Sequence, residues 1–333
     1  MADINDILGN DRIKEHFITA VRHKKISHAY IMEGDKGSGK KMLAEAFAKI
    51  LQCEGRETTS LVESCGKCES CIQMENKVHP DVVWVSHEKP NVISVGEIRE
   101  QIVNTVEIMP YKGPYKIYII DEAEKMTIQA QNALLKTIEE PPAYAVILLL
   151  ANNNTGLLPT ITSRCVTLNF KPVRDEIIRK YLMEELHVPD YQADVSVAFA
   201  QGNVGKAKQI ATAEDFTEMM DAAFRILRRG SDMEVYEMVD ALKNLSEQKH
   251  TIYEYLDLFL VWFRDVLLFK ATKEMDSLVF KDEYNFIKER ADKSSYEGLE
   301  NIIKAIETAK ARLQANVNFD LTMELLFLTI REN

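Results

Sequence analysis

Five short apolar runs occur in the first half of the chain. They are four to seven residues long and nearly free of polar side chains, as is typical of strands that are covered on both faces. Segments with the apolar spacing of a helix separate most of them, and alternating strands and helices predict a mainly parallel sheet. The sequence therefore predicts an α/β domain with a parallel five-stranded sheet. Its strands are predicted at Ala29–Glu33, Val82–Val85, Lys116–Ile120, Ala145–Ala151 and Val166–Phe170.

The second half is predicted to be helical, because residues that interrupt helices are scarce there. All nine prolines lie at or before Pro189, and of thirteen glycines only Gly230 and Gly298 lie beyond Gly205. The segment 251–270 is apolar almost all round, which predicts a helix buried in a domain core or at a subunit contact, and we favour the core.

These patterns divide the chain into three predicted domains. The α/β domain is expected over residues 1–170, because Lys171-Pro172 follows its last apolar run. A small helical domain is expected over 171–212 and a helical block over 213–333. The predicted fold class is α/β plus all-α.

The chain is acidic. Its 41 lysines and arginines against 52 acidic residues give a net charge of −11, which argues against a protein that grips nucleic acid over its whole surface. A role beside nucleic acid, inside a larger assembly, fits this charge. The first residues are polar and charged, and the longest apolar run has nine residues, so we expect neither secretion nor membrane insertion.

A glycine-rich loop follows the first predicted strand. It matches the phosphate-loop pattern G-x-x-x-x-G-K-[ST] except at its last position. Gly34, Gly37 and Gly39 let the backbone curl so that N–H groups converge on a phosphate, and the following helix adds partial positive charge. Lys40 is placed to reach the β- and γ-phosphates.

Lys41 stands where this pattern has the hydroxyl that helps to hold Mg²⁺. It removes a magnesium ligand and adds a cation near the metal position, so we expect the loop to keep its shape and hydrolysis to be lost. Binding of ATP or ADP stays open, because a glycine-rich turn without any ligand fits the sequence equally well.

Two carboxylates, Asp121 and Glu122, follow the four apolar residues that end the third predicted strand. In a P-loop protein, this position holds Mg²⁺ through water and polarises the attacking water. Both residues are therefore candidates for a nucleotide site, and both are vestigial if Lys41 excludes the metal.

Four of the five cysteines crowd together as C-x11-C-x2-C-x2-C. Closely spaced thiolates converge readily on one tetrahedral Zn²⁺, and four protein ligands leave no open position, so we expect a structural zinc site in an insert over about 53–71. Free buried thiols and an iron–sulfur cluster are the alternatives. The predicted ligands are Cys53, Cys65, Cys68 and Cys71.

These features together resemble the delta-prime family of bacterial DNA polymerase III clamp-loader subunits, in the AAA+ superfamily. The resemblance is strong over about residues 1–210, and the remainder is compatible in length and helicity. Besides the phosphate loop and the cysteines, it is carried by Ser27-His28-Ala29-Tyr30, His79-Pro80-Asp81, Ile119-Ile120-Asp121-Glu122-Ala123-Glu124-Lys125-Met126, Gln131-Asn132-Ala133-Leu134-Leu135-Lys136, Glu139-Glu140-Pro141-Pro142, Leu158-Pro159-Thr160-Ile161 and Ser163-Arg164-Cys165.

The resemblance implies a P-loop AAA+ module, a small helical lid and a helical collar that oligomerises. It implies clamp-loader ATPase subunits and a delta subunit as partners, and the sliding clamp and primed DNA as targets of the assembled complex. It also implies a cytoplasmic location and membership of a polymerase holoenzyme whose polymerase activity resides in another subunit. Arg164 matches the family's arginine finger, which is offered to the ATP of a neighbouring subunit, and one of Asn152 to Asn154 matches its polar sensor.

Two departures bear on the function that we expect. Lys41 replaces the Ser or Thr, and Gly205 falls about where ATPase subunits carry a phosphate-sensing arginine. Both indicate a subunit that hydrolyses nothing itself and completes the site of a neighbour. An active AAA+ ATPase, including the clamp-loader ATPase subunit, and a P-loop kinase with a zinc insert are the competing functions.

Overall fold

The computed structural model describes residues 3–55, 63–153, 155–213, 216–229, 234–248 and 252–333. The chain divides into two compact units. The first consists of Met1–Ile178 with Gly202–Gly205, and the second of Arg179–Gln201 with Lys206–Asn333.

The first unit contains one five-stranded, fully parallel sheet, which confirms the predicted α/β class. Its strand order is β2-β3-β4-β1-β5. Three strands have the predicted bounds, and two end one residue early. The strands are β1 Ala29–Glu33, β2 Val82–Trp84, β3 Lys116–Ile120, β4 Ala145–Ala151 and β5 Val166–Asn169.

Helices cover both faces of this sheet. Because side chains alternate along a strand, Tyr30 and Met32 of β1 enter one apolar core and Ile31 enters the other. The described helices of this unit are α1 Asp11–Arg22, α2 Lys40–Gln52, α3 Glu69–Glu75, α4 Val95–Ile98 (continued by a π-helical turn, Arg99–Val103), α5 Ile128–Glu139 and α6 Pro159–Thr162, and short 3-10 turns lie at Ile4–Asp6 and Ala123–Lys125.

The described remainder of the chain is helical, as predicted. Nine residues of its long central helix, α12 (Ile252–Thr272), belong to the apolar core of the second unit, which confirms the core prediction for the described part of the segment 251–270. The helices are α7 Asp175–Glu184, α8 Asp190–Ala200, α9 Val204–Ala211, α10 Phe216–Arg229, α11 Val235–Gln248, α12 Ile252–Thr272, α13 Tyr284–Lys293, α14 Tyr296–Gln314 and α15 Phe319–Glu332, with a 3-10 turn at Lys281–Glu283.

The predicted small helical domain, 171–212, is not separated from the helices that follow it. Val195, Phe199 and Ile210 belong to the same apolar core as the residues of α12. The structure thus groups the chain into two units, and the three-domain division stays a prediction. None of the described helices combines the length and the hydropathy that crossing a bilayer requires.

Candidate functional site

The glycine-rich loop connects β1 to α2, in the strand–loop–helix order that the sequence predicts. Gly37 and Gly39 have φ angles of 91° and 96°, in the region that side chains rarely adopt, so the glycines are needed for this turn. Helix α2 begins at Lys40. The loop therefore makes a glycine-dependent turn between β1 and α2.

The side chain of Lys40 folds back over the glycine-rich loop. Its buried ammonium donates hydrogen bonds to the carbonyl oxygens of Gly34 and of Asp35 (3.0 Å), and to Oδ1 of Asn152 (3.1 Å). Burial lowers the pKa of Lys40, and the carboxylates around it, first Glu124, oppose that shift. A phosphate would therefore have to replace acceptors that already satisfy this ammonium.

Asn152 is the polar residue after β4 that contacts the loop. Its side chain accepts from Lys40 and donates from Nδ2 to Oε1 of Glu124 (2.7 Å), so Glu124 fixes the orientation of the amide. The sequence did not indicate which of Asn152, Asn153 and Asn154 matches the polar sensor, and Asn154 lies outside the described residues. The role of Glu124 was missed, because it depends on a turn between strands that the sequence does not specify.

Lys41 points to the acidic end of β3. Its Nζ lies 3.4 Å from Oδ2 of Asp121 and 4.9 Å from the centre of the Trp84 ring, so both a carboxylate and an aromatic face stabilise the cation. Glu122 forms a separate ion pair with Lys125 (2.6 Å). The structure therefore brings Asp121 to the loop as predicted, with Lys41 as its partner.

The segment Gly202–Gly205 packs on the phosphate loop, a contact that the sequence did not predict. The N–H of Gly205 donates to the carbonyl of Gly37 (3.0 Å), and Nδ2 of Asn203 donates to the carbonyl of Lys36 (2.8 Å). A Cβ at position 205 would come within 2.7 Å of the backbone of Gly37. Only glycine permits this approach.

One polar group of the loop has no partner among the described residues. The hydroxyl of Ser38 is buried and forms no hydrogen bond. Such a group is available to a ligand oxygen or to water. The loop thus combines a glycine-dependent turn with one polar group that has no partner among the described residues and with Lys40 and Lys41, which already have protein partners.

The four predicted zinc ligands converge. The sulfur atoms of Cys53, Cys65, Cys68 and Cys71 lie within 4.8 Å of one another, and those of Cys65 and Cys71 are 4.0 Å apart. Tetrahedral zinc with bonds near 2.3 Å requires sulfur separations of roughly 3.8 Å, so a small contraction completes the site. Residues 56–62 of the predicted insert lie outside the described residues.

Backbone N–H groups point at three of these sulfurs, as suits thiolate ligands. Cys53 accepts from the N–H of Cys65 (3.2 Å), Cys65 from that of Cys68 (3.3 Å), and Cys68 from that of Cys71 (3.4 Å). N–H groups of Lys67 and Cys68 lower the pKa of the Cys65 thiol to about 6, whereas burial raises the pKa of Cys53 and Cys71. A bound divalent cation would compensate the cost of ionising the two buried thiols.

Helix α3 is joined to the segment before β2 by a buried polar contact. Ser70 Oγ and His79 Nε2 are 2.8 Å apart, and both residues are buried. The carboxylate of Asp81 accepts from the backbone N–H groups of Tyr111, Lys112 and Gly113 at 2.6–2.9 Å. His79 lies outside the cluster of converging sulfur atoms.

Arg164 lies on the surface after α6, and its side chain is 42% exposed. Its Nε is 2.9 Å from Oε1 of Glu139 at the end of α5, and its Nη1 donates to the carbonyl of Thr160 (3.0 Å). Burial raises the pKa of the neighbouring Cys165 thiol to about 12. Arg164 is thus accessible and has an exposed carboxylate as its partner in the isolated chain.

Family comparisons cover both units. A family described as DNA polymerase III, delta subunit, matches residues 9–174, and one described as DNA polymerase III, delta subunit, C terminal, matches residues 231–332. The DNA polymerase III subunit delta' of Bacillus subtilis is 31% identical over 326 residues, which is 96% of each chain. The DNA polymerase III subunit tau of that organism is 29% identical over 297 residues, covering 83% of this chain and 52% of that protein.

Among solved structures, a DNA polymerase III gamma subunit-related protein from Thermotoga maritima aligns with 97% of this chain and 98% of its own. Its sequence identity is 19% and its TM-score is 0.46.

Proposed function

The chain belongs to the family of DNA polymerase III delta-prime subunits, and we propose that it is a clamp-loader subunit that hydrolyses no ATP itself. In this role it supplies an arginine finger to a neighbouring ATPase subunit and helps to load the sliding clamp onto primed DNA. It acts in the bacterial cytoplasm, within a holoenzyme whose polymerase activity belongs to another subunit.

The contact between Lys41 and Asp121 is the observation that carries the non-hydrolysing role. Magnesium in a P-loop site is held by the loop hydroxyl and by the carboxylate at the strand end. Here the hydroxyl is replaced, and the ammonium of Lys41 lies 3.4 Å from that carboxylate. A magnesium ion at this position would have to displace the ammonium of Lys41, which already pairs with the carboxylate of Asp121.

The remaining contacts of the loop support the same role. The ammonium of Lys40 is satisfied by carbonyls of the loop and by Asn152, and Gly205 donates to the carbonyl of Gly37. These interactions oppose nucleotide binding as well as hydrolysis, because a triphosphate must break them. We therefore expect weak affinity for ATP and ADP.

The finger assignment of Arg164 rests on its accessibility and on its family motif. The exposed side chain of Arg164 donates to the carbonyl of Thr160 and to Ser163 Oγ, and its ionic partner is the exposed carboxylate of Glu139. It gives up this carboxylate at little cost, because ion pairs in high dielectric contribute about 0–1 kcal/mol. The γ-phosphate of a neighbour's ATP is a stronger partner for a bidentate donor. Glu139 then serves as the resting partner of the finger.

An exposed apolar stripe on α15 supports oligomerisation through the helical unit. Leu321, Leu325 and Leu328 lie at positions i, i+4 and i+7, and they are 53%, 42% and 43% exposed. The opposite face of the same helix packs in the core of the unit. A helix that is apolar on two faces buries the second face against another subunit, and ATPase and delta subunits of the clamp loader are the proposed partners.

The proposed zinc ion is structural. Four thiolates fill its coordination shell, so no position is left for water or substrate. Bound zinc would tie Cys53, at the end of α2, to Cys68 and Cys71 at the start of α3. Its removal is expected to destabilise this corner of the first unit.

An active AAA+ ATPase is the second candidate function. The path of the loop favours it, as does the Ser38 hydroxyl, which has no partner in the described part of the chain, and Lys41 argues against it. A P-loop kinase needs the same missing magnesium ligand, and nothing in the described residues favours it.

Steady-state assays of the purified chain separate these functions. We expect no ATP hydrolysis and no phosphate transfer by the chain alone. In a separate experiment, we expect the chain to co-purify with an ATPase subunit and a sliding clamp. Hydrolysis of ATP by the wild-type chain in isolation would refute the proposal.

A further inference from the structure

A cationic side chain in the second unit lacks a counter-charge. Arg290, on α13, donates from Nη2 to the carbonyl of Ile330 (2.5 Å), and its guanidinium lies 5.8 Å from the centre of the Phe263 ring. Its Nε is buried and has no hydrogen-bond partner, and no carboxylate pairs with it within the described part of the chain. Burial lowers the pKa of Arg290, which expresses the cost of this uncompensated charge.

A second buried donor lies beside it. Trp262, on α12, is only 2% exposed, and its indole N–H has no acceptor within the described ranges. An indole N–H can only donate, and a guanidinium has no acceptor atom. Leaving such a donor unsatisfied costs about 1–3 kcal/mol, and more for a charged group. Both groups therefore require an acceptor.

Trp262 and Arg290 line one small cavity. Its volume is about 60 Å³, enough for a few water molecules or one small oxyanion. The other polar and aromatic side chains around it are Arg228, Phe286, Glu289 and Lys293.

The other charges around this cavity are already paired. Arg228 donates from Nε and Nη2 to both carboxylate oxygens of Glu283, and Lys293 lies 2.6 Å from Glu289. Water would satisfy the two free N–H groups but would not neutralise Arg290. An anion does both, and the carboxylate that lines the cavity, Glu289, is already paired with Lys293.

We propose that this cavity binds a small oxyanion, a carboxylate or phosphate group, through the N–H groups of Arg290 Nε and Trp262 Nε1. The site is independent of the proposed clamp-loader function. Its ligand is either a free anion or the same group carried by another molecule. The test compares phosphate with acetate, and so separates the two chemistries.

Intrinsic fluorescence measures this binding, because the chain has two tryptophans and one lies in the cavity. The full-length Trp84→Phe variant leaves Trp262 as its reporter. We expect a saturable change in its emission on titration with sodium phosphate, sodium acetate or both, with sodium chloride keeping the ionic strength constant. A response to phosphate alone identifies a phosphate group, and a response to acetate identifies a carboxylate.

Arg290→Met in the Trp84→Phe background should abolish the response, and Arg312→Met, at an exposed arginine of α14, should preserve it. Should Arg290→Met fail to fold, Trp262→Phe serves instead. It keeps an aromatic ring and removes the N–H, and the stabilisation by the same anion in thermal unfolding should require an anion concentration about tenfold higher or more. No saturable response to either oxyanion, an equal response to sodium chloride alone, an unchanged response in Arg290→Met, or an unchanged stabilisation by the anion in Trp262→Phe would overturn the assignment.

Discussion

The ammonium of Lys41 lies 3.4 Å from the carboxylate of Asp121. Lys41 thus stands where the P-loop pattern has a magnesium-binding hydroxyl, and it also neutralises Asp121, the second candidate ligand of that pattern. The Trp84 ring holds the same ammonium at 4.9 Å. A side-chain cation therefore stands in for part of the charge that a metal ion supplies in an active P-loop site.

Restoring the hydroxyl alone should not restore hydrolysis. In Lys41→Thr one magnesium ligand returns, but Lys40 keeps its acceptors, and position 205 still carries glycine where the resemblance implies a phosphate-sensing arginine in ATPase subunits. We expect turnover of the isolated variant to stay far below that of an assembled clamp loader in a steady-state ATPase assay. Comparable turnover would show that the loop contacts do not limit catalysis.

A side chain at position 205 should reopen the loop. The Cβ of Gly205→Arg would come within 2.7 Å of the Gly37 backbone, so residues 203–205 must move away. We expect the Lys41→Thr/Gly205→Arg variant to bind a fluorescent ADP analogue more tightly than Lys41→Thr. Gly96→Arg is the matched control, because a Cβ there meets only ordinary contacts. If Lys41→Thr and Lys41→Thr/Gly205→Arg bind the ADP analogue with equal affinity, the segment 202–205 does not hold the loop closed.

The purified chain should contain about one zinc ion. Cys71→Ser should lose it, because this fully buried sulfur is one of the four that converge. Cys165→Ser is the control and should keep the metal, since its thiol lies outside the cluster. Elemental analysis that finds iron, or no metal, in the wild-type protein would exclude the zinc assignment.

The stability of the second unit should depend on Asp265. This fully buried carboxylate accepts from the N–H groups of Val279 and Phe280, and its other oxygen has no partner among the described residues. Burial raises its pKa to about 6 from 3.8. The folded chain therefore holds this proton more tightly than the unfolded chain does, so the stabilisation is complete below pH 4 and is lost as the pH rises to about 6.

Asp265→Asn cannot titrate, so its stability relative to wild type should rise by up to about 3 kcal/mol between pH 4 and pH 7. Denaturant unfolding of both proteins at each pH measures this change, and Asp276→Asn, at an exposed position, is the control. A relative stability that does not vary with pH would show that Asp265 stays ionised throughout.

The strands were predictable because sheet strands with both faces covered are uninterrupted apolar runs. The two errors are confined to Val85 and Phe170, which still donate hydrogen bonds to Ile119 and Glu33 after their strands have ended. Here the apolar pattern continues past the ladder, so no sequence pattern could mark the boundary.

The candidate sites were predictable where their residues are close in sequence. Cys65, Cys68 and Cys71 form a local motif, and the phosphate loop is one short segment. The contacts of Asn203 and Gly205 with that loop were not predictable, because they join distant parts of the chain. The glycine at position 205 does not indicate this contact. The sequence shows only that the phosphate-sensing arginine of ATPase subunits is absent there.

Arg164→Ala tests the central claim most directly. We expect the variant to fold, keep its zinc and assemble, because the guanidinium is exposed and its partner Glu139 stays solvated. A finger supplied in trans stabilises the charge that shifts among the phosphate oxygens as the β–γ bond breaks, and such fingers contribute roughly 10³–10⁵ in rate. The loss of total hydrolysis should be smaller than this, because the resemblance implies three ATPase subunits in the complex and we expect only one of their ATP sites to border this subunit.

The measurement is the DNA- and clamp-stimulated ATPase rate, together with clamp loading, of a complex reconstituted with the variant subunit. Arg22→Ala, at an exposed arginine of α1, and Glu139→Gln, which removes the resting partner of Arg164, are the controls and should retain activity. The account predicts that Arg164→Ala lowers both rates, and clamp loading more than hydrolysis. Unchanged values for both, with assembly confirmed, would contradict it.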